Sequence, residues 1–140
     1  MAMLIHLDIV SAEHGIFSGQ TEMVFAPAVM GEIGIAPRHA PLITRLKPGE
    51  IRVRLPGGEE QSFYVSGGIL EIQPHVITVL SDTAMWAHDI DEAAALAAKE
   101  QAEQAMENHH SEMEFAMAEA TLAEASAQLA LLKRIKKVTH

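Results

Sequence analysis

The chain has 140 residues, 49% of them apolar, with a formal net charge of −9 and no cysteine. That apolar share is enough for a buried core, and the acidic balance excludes generic nucleic-acid binding, which needs clustered Lys and Arg against phosphate. The missing thiol removes disulfides, thiolate catalysis and Cys-ligated metal together.

In chain order, residues 1–7 carry no basic start and Asp8 cuts their apolar stretch short, so no signal peptide is expected. No apolar run approaches the roughly 20 residues that a membrane helix needs. All nine Gly and all six Pro fall within Gly15–Pro74, whereas residues 93–130 hold fourteen Ala. A Gly/Pro-punctuated front and an Ala-rich back predict an all-β region followed by helices, with the change near residue 88. Strand candidates are Leu4–Val10, Glu22–Ala26, Leu42–Leu46, Ile51–Leu55, Phe63–Val65, Ile69–Ile72 and Val76–Leu80. Ile51-Arg52-Val53-Arg54-Leu55 alternates apolar with basic, the period-two mark of a half-buried strand. Pro56-Gly57-Gly58 and Ser66-Gly67-Gly68 supply turn chemistry between candidates. The expected fold is a sandwich or barrel of about ten short strands.

Gly31-Glu32-Ile33-Gly34 reads as a turn with a projecting carboxylate, and Glu32 has no sequence neighbour to complete an acid/base pair. His39 lies in a Pro-flanked loop, where a surface contact is plausible. Trp86, at the junction of the two halves, is expected to pack the helices onto the sheet.

The back half predicts an antiparallel helical hairpin. Asp89 or Asp91 caps a first helix that runs to about Glu107. Asn108-His109-His110 makes the turn. Ser111 and Glu114 form a capping box for a second helix that runs to about Lys137, roughly 40 Å long. Phe115, Leu122 and Leu129 recur every seven residues, with Ala118, Ala125 and Leu132 three further on, a heptad seam. Ala116, Ala120, Ala123, Ala127 and Ala130 form a second, all-small face. Met106, Met113 and Met117 flank the turn as flexible fillers for the hairpin or a partner.

Charge is segregated along these helices. Residues 89–132 hold ten acids and one base, after which Lys133, Arg134, Lys136 and Lys137 supply four positives. Dipole complementation explains basic residues at a helix C-terminus, but four charges exceed what a cap requires. No phosphate loop, dinucleotide fingerprint or nucleophile elbow occurs. Adjacent His109 and His110 point in different directions, so they do not make a metal pair. No catalytic residue, metal site or cofactor is expected.

Several blocks occur in an order that carries a resemblance: Leu7-Asp8-Ile9-Val10-Ser11, Phe17-Ser18-Gly19, Gly31-Glu32-Ile33-Gly34-Ile35, Pro37-x-His39-Ala40-Pro41-Leu42, Lys47-Pro48-Gly49, Ser66-Gly67-Gly68-Ile69-Leu70-Glu71-Ile72-Gln73-Pro74 and Val79-Leu80-Ser81-Asp82-Thr83-Ala84. Together they resemble the epsilon subunits of bacterial F-type ATP synthases over the whole chain. The resemblance implies an N-terminal β-sandwich, residues 1–87, that binds the gamma subunit and the ring of c subunits. It implies a C-terminal two-helix regulatory domain, residues 88–140. In that family the sandwich couples rotation to proton flow. The hairpin either folds against it or extends along gamma and blocks ATP hydrolysis.

By motif match, Glu32 and His39 fall in the loops facing the c ring and gamma. The four basic residues of the second helix would meet the alpha and beta subunits of the catalytic head. The implied protein is a non-catalytic, peripheral subunit on the cytoplasmic face of the bacterial plasma membrane, without membrane insertion and monomeric when isolated. Some members bind ATP through an Ile/Leu-Asp-x-x-Arg-Ala motif. Here Ile90 and Asp91 remain but Ala94 replaces the Arg, removing a charged phosphate donor, which argues against nucleotide binding. The residues alone also fit a β-sandwich adaptor that oligomerises through its hairpin. Size exclusion separates the two readings.

Overall fold

Strand alternation begins at once. The computed structural model describes residues 3–138. Met1, Ala2, Thr139 and His140, the outer ends of the expected 1–87 and 88–140 regions, lie outside the described residues. In β1 (Ile5–Ser11) Ile5, Leu7 and Ile9 are fully buried while His6, Asp8 and Val10 face outward. β1 pairs antiparallel with β2 (Gly15–Thr21) and parallel with β7 (Val76–Ser81). β3 (Met23–Ala28) and β4 (Gly31–Ile35) form a hairpin. β5 (Leu42–Arg54) and β6 (Glu60–Ile72), of 13 residues each, pair along their whole length, and β8 (Ala84–Trp86) adds to β6. The order is β2-β1-β7-β6-β5-β3-β4, with β8 beside β6.

Among the described residues there are thus eight strands rather than about ten. Leu42–Leu46 joins Ile51–Leu55 through Pro48-Gly49, and Phe63–Val65 joins Ile69–Ile72 through Ser66-Gly67-Gly68. The ladder continues through these turn-like residues because they face one another, Pro48 against Ser66 and Gly49 against Val65. The long strands serve both layers of the sandwich. Ile69–Ile72 of β6 pairs with β7, and Phe63–Val65 of the same strand pairs with β8. Gly68 makes this possible: its φ is +126°, and a Cβ there would collide with the Leu80 carbonyl.

Ile51, Val53, Phe63, Val65, Leu70 and Ile77 fill the core with Ile5, Leu7 and Ile9. Each such side chain, fully buried, contributes about 1.5–3 kcal/mol. Thr21, a fully buried polar side chain, donates its hydroxyl to the Ile5 carbonyl at 2.8 Å. Trp86 is a sheet residue: it faces Phe63 in register and closes an aromatic cluster with Phe63 and Phe17, at centroid distances of 4.4 and 6.1 Å.

A 3-10 turn (Ala87–Asp89) leads to α1 (Glu92–Glu107). Asp91 is its N-cap, accepting from the Ala94 N–H at 3.0 Å. α2 (Glu112–Val138) starts at Ser111, whose hydroxyl accepts from the Glu114 N–H at 3.1 Å. The Glu114 carboxylate reaches one residue further back than a capping box does, to the His110 N–H at 2.8 Å. His109 completes the turn, bonding the Met106 carbonyl at 2.7 Å and lying edge-on to Phe115.

The helices pack against each other. Ala95 and Ala102 on α1, and Ala118 and Ala125 on α2, are buried at seven-residue spacing. Among the described residues the last buried side chain of α2 is Leu131, with Leu132 half-buried beside it. The small face stays open: Ala116, Ala120, Ala123 and Ala130 are exposed. Met113 and Met117 are exposed too, so they do not plug the hairpin. Residues 1–87 and 88–140 form two compact units.

Candidate partner-binding surfaces

The outward face of the β5–β6–β7–β1 layer breaks the alternation that gives a sheet one wet side. Ile69 and Leu80, 48% and 49% exposed, stand opposite each other on β6 and β7. Val10 lies beyond Leu80 on β1, and Arg45 beyond Ile69 on β5. Four strands therefore present one transverse row, Arg45–Ile69–Leu80–Val10, apolar with a cation at its end. Ile43, 69% exposed, begins the next row on the same face. A hollow of about 340 Å³ opens where Gly68 lacks a side chain, lined also by Ile69, Leu80 and Val10. Adjacent exposed apolar side chains on a sheet face mark an interaction surface. Sequence reasoning missed these residues. The available signal was parity: in Ile69-Leu70 and Val79-Leu80 both phases of the alternation are apolar.

Beside this row the face is polar. Asp8 accepts from the Ser18 hydroxyl at 2.6 Å, and His6 lies 3.0 Å away. The Ser18 hydrogen bond, helped by His6, holds the Asp8 carboxyl below its ordinary 3.8 against the opposing effect of burial. This is no hydrolytic triad. Ser18 donates its proton to the carboxylate rather than to His6, and one imidazole nitrogen, Nε2, lies against both partners instead of bridging them through two.

Glu32 is on a strand, not in a turn. It belongs to β4, an edge strand whose Gly31 and Gly34 mimic turn chemistry. Its carboxylate accepts from Arg52 at 3.0 Å, and that guanidinium lies 4.5 Å from the centroid of the Phe25 ring. The partner absent from the neighbouring sequence comes from β5, twenty positions away. The β3–β4 turn before it displays Val29 and Met30, the latter 95% exposed. His39 sits in the β4–β5 loop with Nδ1 2.7 Å from the Ala40 carbonyl. Arg38 before it takes a positive φ of 64° and donates its N–H to the Pro74 carbonyl. No hydrogen bond joins Glu32 to His39 among the described contacts.

The basic end of α2 divides. Lys133, Lys136 and Lys137 share a face at i, i+3 and i+4, lining a hollow with Leu129 and Glu92, while half-buried Arg134 is outside it. Lys136 is bonded to Glu92 at 2.7 Å. Ile90 and Asp91 precede α1, and the Asp91 carboxylate caps the helix through Ala94 rather than standing free. No helix among the described residues is long and apolar enough to cross a membrane.

Two family models match the chain: the beta-sandwich domain of the ATP synthase delta/epsilon chain over residues 4–87, and its long alpha-helix domain over residues 88–133. An ATP synthase epsilon chain of Nitrosococcus oceani is 64% identical over 137 residues, covering 98% of each chain. Those of Methylococcus capsulatus and Nitrosomonas europaea are 58% and 53% identical, over 98% and 100% of both chains. Among solved structures, a chain of the Euglena gracilis mitochondrial ATP synthase (OSCP/F1/c-ring) superposes with a TM-score of 0.83 at 21% identity, covering 92% of this chain and 81% of that one. A chain of the Tetrahymena thermophila central stalk and c ring gives 0.60 at 9% identity, over 91% and 95%. At those identities the likeness is one of fold.

Proposed function

The chain belongs to the ATP synthase delta/epsilon family, and from that premise we propose that it is an epsilon-type subunit in the central stalk of a proton-translocating F-type ATP synthase. It does no chemistry itself. The sandwich docks on the gamma subunit through the Arg45–Ile69–Leu80–Val10 row and Ile43. The Val29-Met30 turn, Glu32 and the His39 loop meet gamma and the c ring. The chain is peripheral, on the cytoplasmic face of the bacterial plasma membrane, and monomeric when isolated.

The transverse apolar row carries this reading. A coupling subunit must hold a rotating partner without deforming. The row satisfies the first need by offering apolar area to desolvate. The second is met by its base, two 13-residue strands hydrogen-bonded end to end.

The second part of the proposal is regulatory. Lys133, Arg134, Lys136 and Lys137 let α2 reach an acidic surface of the alpha and beta subunits and hold back ATP hydrolysis. Lost burial of small Ala seams would make release of α2 from α1 inexpensive. Nucleotide is not part of this switch, because Ala94 offers no charged donor and Asp91 is committed to its cap.

The test is co-purification with gamma. Ile69→Asp with Leu80→Asp should abolish it while circular dichroism stays native, since both side chains are half exposed. Retained binding would refute the docking face. For the hairpin, Ala at the four basic positions should raise ATP hydrolysis by the reconstituted complex with gamma binding intact. Unchanged hydrolysis would refute inhibition.

A further inference from the structure

The open end of the hairpin is closed by a contact between its two extremities. Glu92 is the first residue of α1 and Lys136 lies in the last turn of α2, yet Lys136 Nζ donates to Glu92 Oε2 at 2.7 Å. Lys133 and Lys137 line the same hollow of about 420 Å³, together with Leu129. Each helix also favours its own partner in the pair, the carboxylate at an N-terminus and the ammonium at a C-terminus.

Besides the pair, α2 buries one side chain near this end, Leu131. The turn end has the Ser111 cap, the His110–Glu114 bond and the His109–Phe115 contact. On α1 the buried side chains are Ala95 and Ala102 alone, and an Ala side chain brings little area. Parting of the helices at this end breaks the Glu92–Lys136 pair.

We propose that the Glu92–Lys136 pair is an electrostatic latch that sets how often α2 parts from α1. The latch rests on the regulatory reading above and adds a constraint to it. Lys136 serves the folded hairpin or a second subunit, not both, because engagement elsewhere requires α2 to leave α1 and break the pair. Glu92 thereby becomes a determinant of inhibition without touching any partner. Both side chains are more than half exposed, 61% and 55%, so the pair changes the opening equilibrium by about two- to fivefold at low salt. Screening shortens its reach to about 3 Å at 1 M salt, which erases most of that factor.

The experiment measures amide exchange over residues 131–137 of the full chain, for wild type, Glu92→Gln, Lys136→Gln and the double variant. Each single change should speed exchange about two- to fivefold at low salt, with the double variant no faster than either. The differences should disappear at 1 M salt. Additive effects, or no effect of either single change, would overturn the latch. ATP hydrolysis by the reconstituted complex is read in parallel with Glu92→Gln, which leaves all four basic residues in place. Hydrolysis should fall, because α2 is released more often. Coupled exchange with unchanged hydrolysis supports the latch and refutes the inhibitory reading. Uncoupled exchange overturns the latch whatever hydrolysis does.

Discussion

Gly68→Ala probes the hinge on which the apolar row depends. Two costs add at this position. The backbone φ of +126° is one that an L side chain rarely adopts, and holding it costs about 1–3 kcal/mol. The new methyl group would also strike the Leu80 carbonyl oxygen, with the Leu80 carbonyl carbon and Ser81 Cα each 3.0 Å away. These are backbone atoms of β7, which cannot rotate aside, so relief requires β7 to shift at about 1–3 kcal/mol more. The sum is about 2–6 kcal/mol.

For a unit of this size, about 4–8 °C in Tm accompanies each kcal/mol, so the transition should fall by at least about 8 °C. Gly57→Ala is the control: its φ is +97°, but nothing lies within 4 Å of the added Cβ, leaving only the conformational cost. Thermal unfolding followed by Trp86 emission suits both variants, since the chain has a single Trp and it packs in the sheet's aromatic cluster. Equal losses for Gly68→Ala and Gly57→Ala would refute the claim that close approach of β7 requires glycine here.

Three further outcomes follow from the contacts described. Ser18→Ala removes the strongest hydrogen bond to Asp8, whose folded carboxyl lies below 3.8. A lowered carboxyl stabilises fully above its unfolded pKa and loses that contribution as pH falls through the folded value. Urea midpoints of wild type and Ser18→Ala should thus differ above about pH 4 and converge below it, and a constant gap would contradict the assignment. A double-mutant cycle on Glu32→Gln and Arg52→Met should return a coupling of about 0.2–1 kcal/mol, vanishing in 1 M salt; strict additivity would show the pair to be idle. Millimolar MgATP should leave the melting temperature of the isolated chain unchanged, and a saturable rise would show that a site exists without an Arg at Ala94.

Features decided within a few residues were legible in the sequence. Asp91 and Ser111 could be recognised as caps because each satisfies an N–H three residues ahead. The Ala-rich heptads announced two packed helices for the same reason, and Ile51-Arg52-Val53-Arg54 showed its buried parity directly. Where the chain's own punctuation misled, a neighbour overruled it. Pro48-Gly49 and Ser66-Gly67-Gly68 carry turn chemistry, but set opposite each other they bend two long strands instead of ending four. Gly31-Glu32-Ile33-Gly34 looked like a turn until β3 supplied it with ladder partners.

The binding surfaces lie further still from local reach. Ile69, Leu80 and Val10 become one row only after β6, β7 and β1 have paired in a particular register. Glu32 finds Arg52, and Glu92 finds Lys136, across twenty and forty-four positions. Hydrogen bonds and apolar contacts along one element are set by residue spacing, which the sequence contains. Contacts between elements depend on strand register and helix rotation, and those are chosen by the whole core as it packs, so only the tertiary structure decided them.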